Sequence, residues 1–149
     1  MPCVPAPVIE KLYAKEEMSQ SPNTEHSAKL IYEGEIRFGP TYFKLELDGH
    51  ILARHLFGRV LTWSPCSNYL ALEEWLTIDY SRGPRTRLFL INLEENTYSE
   101  FKTIENGFVR NVHINSGTVQ YVKEFPATGC RIEAEIQISK ISNWRKLDV

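Results

Sequence analysis

The sequence predicts an all-β domain, a mostly antiparallel meander, on three observations. From Lys29 onward apolar residues recur at every second position, which is the period of a strand. Clusters of Gly, Pro, Asn, Asp and Ser break that pattern at short intervals, as turns do. One segment, Arg85 to Leu93, is apolar on both faces, as a centrally buried strand is. The chain of 149 residues fits one domain with a substantial core. It divides into a leader over residues 1–28 and a single all-β domain over residues 29–149.

The leader differs in composition from everything after it. Pro2, Pro5 and Pro7 oppose regular structure, and Ser19 to Thr24 form a polar spacer. Between them Val8 to Met18 has the spacing of a short helix, with Ile9, Leu12 and Tyr13 on one side. Two readings stand: a flexible leader, or a segment that docks those apolar residues on a neighbouring subunit. In the domain, Leu30, Tyr32, Ile36 and Phe38 share a face, Gly34 marks a bulge, and Gly39-Pro40 ends the run. Phe43, Leu45 and Leu47 define the next strand, Asp48-Gly49 turns it, and Ile51 to Leu56 is expected to return.

Val60 to Tyr98 organises the rest. Leu61 and Trp63 alternate, Ser64-Pro65-Cys66-Ser67-Asn68 reverses the chain, and Leu70 and Leu72 alternate in a strand that begins at Tyr69. A polar loop from Asp79 to Pro84 leads to Arg85–Leu93, where Phe89, Ile91 and Leu93 oppose Leu88 and Leu90. A strand through Phe101 and Ile104 follows, and Asn106-Gly107 turns the chain. Val112, Ile114, Val119 and Tyr121 flank the turn Asn115-Ser116-Gly117, so Val109–Ile141 echoes Val60–Leu93 as a weak internal repeat. After the loop Ala127-Thr128-Gly129, Ile132, Ala134, Ile136 and Ile138 oppose Arg131, Glu133, Glu135 and Gln137, which predicts a half-buried strand. Trp144 and Leu147 anchor the C-terminal residues.

Trp63-Ser64-Pro65, Tyr69-Leu70-Ala71-Leu72 and Arg87-Leu88-Phe89-Leu90-Ile91-Asn92-Leu93-Glu94 together resemble one blade of the β-propeller repeats of Tol-type periplasmic proteins and prolyl-oligopeptidase relatives. In that family's Trp-Ser-Pro-Asp-Gly turn the Asp-Gly pair is replaced here by Cys66-Ser67-Asn68, and Asn92 replaces its strand-ending Asp. The resemblance covers about a quarter of the chain and implies two to three propeller-blade-like, WD-like repeat units. With about 40 residues per blade, the chain supplies about three blades at most, short of a closed ring. A partial propeller and a sandwich-like closure both satisfy it. Blades serve binding, enzymatic and structural proteins alike, so the resemblance implies a fold and no activity.

The composition excludes some partners. A net charge of −2, from 17 basic and 19 acidic residues, gives no broad attraction to nucleic acid or anionic membrane. No stretch approaches the ~20 apolar residues of a membrane span, and a secretory signal is not expected at the N-terminus. Cys3, Cys66 and Cys130 are odd in number and far apart, so they read as thiols of a cytoplasmic protein, unless Cys66 and Cys130 meet in space.

The motifs for chemistry are sparse. His26, His50, His55 and His113 lack metal-binding spacing, so neither a metal nor another cofactor is expected. Ser64 lacks a nucleophile elbow, Cys66 lies in a turn, and no catalytic residue is assigned. Glu73 and Glu74 are adjacent in a strand, hence on opposite faces, and cannot act as acid and base across one substrate. Glu74 shares the face of Leu70 and Leu72, so it needs a partner such as Arg87. Arg82, Arg85 and Arg87 with Tyr80 form the candidate binding cluster, suited to a phosphate or carboxylate on a partner. The expected function is a small noncatalytic binding or protein-interaction domain. A self-assembling structural subunit and an enzyme with an unfamiliar site remain as alternatives. Roughly eight to ten strands that do not close a ring leave open edges, and Cys130–Ile138 is poorly defended at one, so a homodimer is expected.

Overall fold

The computed structural model describes residues 16–36 and 39–147 and is all-β. Its strands are β1 (Glu16–Gln20), β2 (Ser27–Glu35), β3 (Thr41–Leu47), β4 (His50–Ile51), β5 (Leu56–Trp63), β6 (Tyr69–Trp75) and β7 (Arg85–Asn92). They continue with β8 (Thr97–Glu100), β9 (Ile104–Glu105), β10 (Phe108–Asn115), β11 (Thr118–Phe125), β12 (Cys130–Gln137) and β13 (Arg145–Lys146). Two single 3-10 turns, Tyr80–Arg82 and Ile138–Lys140, are the only helical pieces among the described residues, and no helix there is long and apolar enough to cross a membrane.

All pairings are antiparallel, and the meander forms one large and one small sheet. The large sheet runs β1-β2-β3-β5-β6-β7-β8-β13, with β4 beside β3 and β9 beside β7, and the small one runs β10-β11-β12. The large sheet is not flat. Only one residue pair, Phe43 opposite Phe57, joins β3 to β5. Three strand spacings, about 14 Å, would separate β1 from β5 in a flat sheet. Yet the Trp63 indole on β5 donates to Ser19 Oγ on β1 at 2.8 Å. The sheet therefore curls at β3/β5, and β2 and β3 fold over one face of β5–β8. Ala28, Leu30, Phe43 and Leu45 pack there against Leu70, Leu72, Phe89 and Ile91 in one core cluster.

A second core fills the other face of the central strands. Ala71, Leu88 and Leu90 meet Val109, Val112, Ile114, Val119 and Tyr121 from the small sheet. Strands β6 and β7 are thus buried on both sides, as the doubly apolar run Arg85–Leu93 requires. The turns follow their chemistry. Asp48 and Gly49 both take positive φ, 49° and 87°, the geometry of a two-residue hairpin turn. In the Ser64–Asn68 turn the Ser64 hydroxyl accepts the Tyr69 N–H at 2.9 Å. A register shift between Tyr32 and Gly34 is the expected bulge. Trp144 packs on the second core and Leu147 on the first.

Five expectations need correction. The leader does not extend to residue 28, because residues 16–20 are β1 and pair with Ser27–Ile31 of β2. The helix over Val8–Met18 falls partly outside the described residues, and Glu16 to Met18 are strand. The returning strand Ile51–Leu56 is only His50–Ile51, since Leu52 to His55 form a turn whose Leu52 N–H donates to Leu45. The strand through Phe101 and Ile104 is two, β8 ending at Glu100 and β9 starting at Ile104. Finally, β12 is less covered than its alternation predicts: Ala134 and Ile136 are half-buried, but Ile132 is 53 % exposed because only one strand flanks this outermost position.

Candidate functional site

Strand β6 carries two adjacent carboxylates, Glu73 and Glu74, both buried, and the pleat sends them to opposite cores. Their environments differ. Glu74 lies opposite Arg87 in the β6/β7 register. Its Oε1 accepts from Arg87 Nε at 2.7 Å and its Oε2 meets His55 Nδ1 at 2.6 Å. The Arg87 guanidinium continues to Glu100 on β8. Around His55 stand Phe89 and Tyr98, edge-on at 4.9 and 5.4 Å between ring centres. Burial pushes the Glu74 carboxyl up, but the His55 and Arg87 hydrogen bonds and charges outweigh it and hold it below its ordinary value.

Ligand atoms of His55, Glu74 and Glu100 lie within 4.8 Å of one another, one imidazole and two carboxylates, a donor set able to hold a divalent ion. Arg87 already donates to both carboxylates, so its guanidinium supplies the positive charge that a cation would bring. The cluster is a buried ion-pair network that ties the turn after β4 to β6, β7 and β8.

Glu73 answers a different problem. Its Oε2 accepts the Val109 N–H of β10 at 2.8 Å, with Arg110 Nη1 at 3.5 Å, and its Oε1 accepts the Trp75 indole N–H at 3.2 Å. Burial nevertheless pushes this carboxyl above its usual range. One side chain thus fastens the small sheet to the large one. Gly58 makes the arrangement possible: a Cβ there would overlap Glu73 Oε1 and lie 2.6 Å from Trp75 Nε1.

Beside Glu73 opens a hollow of about 490 Å³ between β3, β5, β6 and β10. Pro40, Thr41, Gly58, Val60, Trp75 and Phe108 give it a mostly apolar lining, and Arg59 and Arg110 flank it. Both guanidiniums lie over aromatic rings, Arg59 at 4.9 Å from the Phe43 centre and Arg110 at 4.7 Å from that of Phe108. Both are ion-paired as well, Arg59 with Glu17 and Arg110 with Glu124. Behind Trp75, Tyr80 stacks in parallel at 5.9 Å. Its hydroxyl is buried with no hydrogen-bond partner among the described residues, and burial together with the Glu73 charge pushes it up to about 12.

The structure does not gather Tyr80, Arg82, Arg85 and Arg87 into one site. Tyr80 lies with Trp75 on the Glu73 face, Arg87 is committed to Glu74 and Glu100 on the other, Arg85 pairs with Glu105 at the surface, and Arg82 is exposed. The possible meeting of Cys66 and Cys130 does not occur, as both thiols are free. The partnership of Glu74 with Arg87 is present, whereas the bond of His55 to Glu74, the part of Glu100 and the whole Glu73 hollow escaped sequence reasoning. The available signal was a pair of carboxylates inside a strand that must bury both faces. Compared with known proteins, the chain matches no family model, no curated protein and no solved structure.

Proposed function

We infer that this protein is a noncatalytic protein-interaction domain that seats an apolar or aromatic side chain of a partner protein in the hollow over Trp75 and Phe108. The observation that carries this reading is the composition of the hollow: a Trp and a Phe in its wall, with two arginines flattened on rings beside it. Buried aromatic anchors and Arg at the border are the residue types on which binding energy concentrates at protein interfaces. Glu73 already accepts three donors, which favours a structural role for it over acid–base work. The likeness of the Trp63-Ser64-Pro65 stretch to a propeller blade is in keeping with a binding scaffold, and the exposed free thiols of Cys66 and Cys130 with a cytoplasmic location.

The test is selection from a random peptide library on the wild-type domain, followed by binding to a Thr41→Trp variant in which the added indole fills the hollow. Selected peptides should share an aromatic or aliphatic anchor and lose at least about tenfold in affinity to a variant of unchanged melting temperature. Peptides that bind both proteins equally would place recognition elsewhere. A second reading, self-assembly, is favoured by a separate feature, the open edge of β12.

A further inference from the structure

Strand β12 pairs with β11 on one side, and among the described residues nothing pairs with the other. Natural edges are protected by proline, bulges, brevity or inward charges. Here the β11/β12 register runs unbroken from Thr118 opposite Gln137 to Phe125 opposite Cys130, and Cys130–Gln137 contains no Pro, Gly or Lys. The free edge is eight residues long and regular.

The hydrogen-bond phase shows which residues offer their backbone outward. The Ile138 N–H donates to Gly117 C=O at 2.8 Å, in step with the β11/β12 register. Antiparallel ladders alternate hydrogen-bonded and non-hydrogen-bonded pairs. Residues 130, 132, 134 and 136 therefore point their N–H and C=O groups at β11, while Arg131, Glu133, Glu135 and Gln137 point theirs away.

A second strand added to this edge must match those odd-numbered residues. If the strand is another copy related by a twofold axis, few registers exist. An axis at Glu133 puts Glu133 against itself, and one at Ala134 puts Glu133 opposite Glu135 twice. An axis at Arg131 opposes two arginines. With the axis at Ile132, Arg131 of each copy faces Glu133 of the other, and Glu135 falls beyond the partner's strand, at the level of the turn residue Gly129, whose N–H already donates to Phe125. Opposed unlike charges favour a cross-strand pair and like charges disfavour it. The same register sets Ile132, 53 % exposed, against its own copy at a non-hydrogen-bonded position, where side chains approach most closely. Arg131 already bonds Glu124 at 2.6 Å, so in this pairing it would bridge a carboxylate from each chain.

We propose that two copies of this chain associate edge to edge through antiparallel β12 strands about a twofold axis at Ile132, with reciprocal Arg131–Glu133 pairs. Four backbone bonds, two in each Arg131–Glu133 pair, and one isoleucine contact make a small interface, so a weak association follows. It is independent of the hollow over Trp75.

The experiment uses full-length protein with Cys3, Cys66 and Cys130 replaced by Ser. In that background Ile132→Cys should form a disulfide-linked dimer on mild oxidation, because directly opposed non-hydrogen-bonded residues have Cα atoms about 4.5 Å apart. Ala134→Cys and Ile136→Cys should not. By light scattering, Glu133→Arg should weaken the wild-type dimer about tenfold, and adding Arg131→Glu should restore it. The melting temperature of Glu133→Arg checks that the fold is intact. A mass of one chain at about 100 μM overturns the proposal. Crosslinking through Ala134→Cys in preference to Ile132→Cys overturns it too.

Discussion

Replacing Arg87 by Met keeps an aliphatic chain between β6 and β8 but removes the guanidinium that bonds both Glu74 and Glu100. The Glu74 side chain is 5 % exposed and that of Glu100 17 %, so neither carboxylate can turn to water without moving the sheet. Each loses a charge-assisted hydrogen bond, about 1.5 to 3 kcal/mol apiece, and removing one partner of a buried pair costs about 3 to 5 kcal/mol. A loss of about 3 to 5 kcal/mol is therefore expected at neutral pH, read from urea denaturation followed by tryptophan fluorescence. Its pH dependence separates electrostatics from lost packing. In the wild type the Glu74 carboxyl is held below its ordinary value of 4.5, so its contribution is complete above that value and fades as pH falls through the lowered one. Without Arg87, burial raises the carboxyl instead, and the variant gains stability as it takes up a proton on acidification. The gap between the proteins should narrow from about pH 7 towards 4.5. A gap below about 1 kcal/mol at neutral pH, or one constant across that window, would refute the buried-network account.

Gly58→Ala drives a methyl into Glu73 and Trp75, and is expected to cost about 1 to 3 kcal/mol with an altered tryptophan emission; an unchanged spectrum and stability would contradict the packing described. Tyr80→Phe removes a buried hydroxyl that has no partner among the described residues, so stability should hold or rise by about 1 kcal/mol in thermal melts, and a clear loss would reveal a partner for that hydroxyl. Phe89→Ala, at a fully buried position that also flanks His55, should cost about 3 to 5 kcal/mol by denaturant titration. Deleting residues 1–26 removes β1, the Ser19–Trp63 bond and the bond from the Asn23 N–H to Ser67, and should lower the melting temperature by at least about 5 °C. A melting temperature left unchanged would restore the view of that whole segment as a dispensable leader.

Much of the architecture was legible because β-structure announces itself by local pattern. The Asp48-Gly49 and Ser64–Asn68 turns, the double burial of Arg85–Leu93 and the Gly34 bulge follow from a few neighbouring residues each. The part of the leader from Glu16 on was not, since Glu16 to Gln20 has no apolar alternation. It is held instead by backbone pairing to β2 and by bonds to residues more than forty positions away, such as Trp63. The site was harder still. Glu74 and Arg87 are 13 residues apart and find each other through strand register, which periodicity suggests. The Glu73 hollow depends on the docking of a second sheet, and Val109 lies 36 residues beyond Glu73. No local pattern encodes that docking angle. The arginine cluster has the same origin: Tyr80 and Arg82 sit in the turn before β7, and the residues around them differ, Tyr80 on Trp75, Arg87 on Glu74 and Glu100, and Arg85 on Glu105.

The back-to-back glutamates of β6 also act as a proofreading device for strand assembly. Apolar strands slide cheaply, because a leucine in the wrong slot still meets a leucine. A shift of β6 by one residue against β7 would turn Glu73 into the core lined by Phe89 and Ile91, and Glu74 into the one lined by Leu88 and Leu90. Neither would find its donors. A shift by two keeps each carboxylate on its own side but moves Glu74 from Arg87 to the level of Phe89 or Arg85, and Glu73 off the Val109 N–H. Each of these misalignments takes Glu73 off its donors, and all but the one that sets Glu74 beside Arg85 also strand Glu74 in hydrocarbon, an error signal that an all-leucine strand would not give. The chain can place its most hydrophobic strands side by side and still arrive at one alignment.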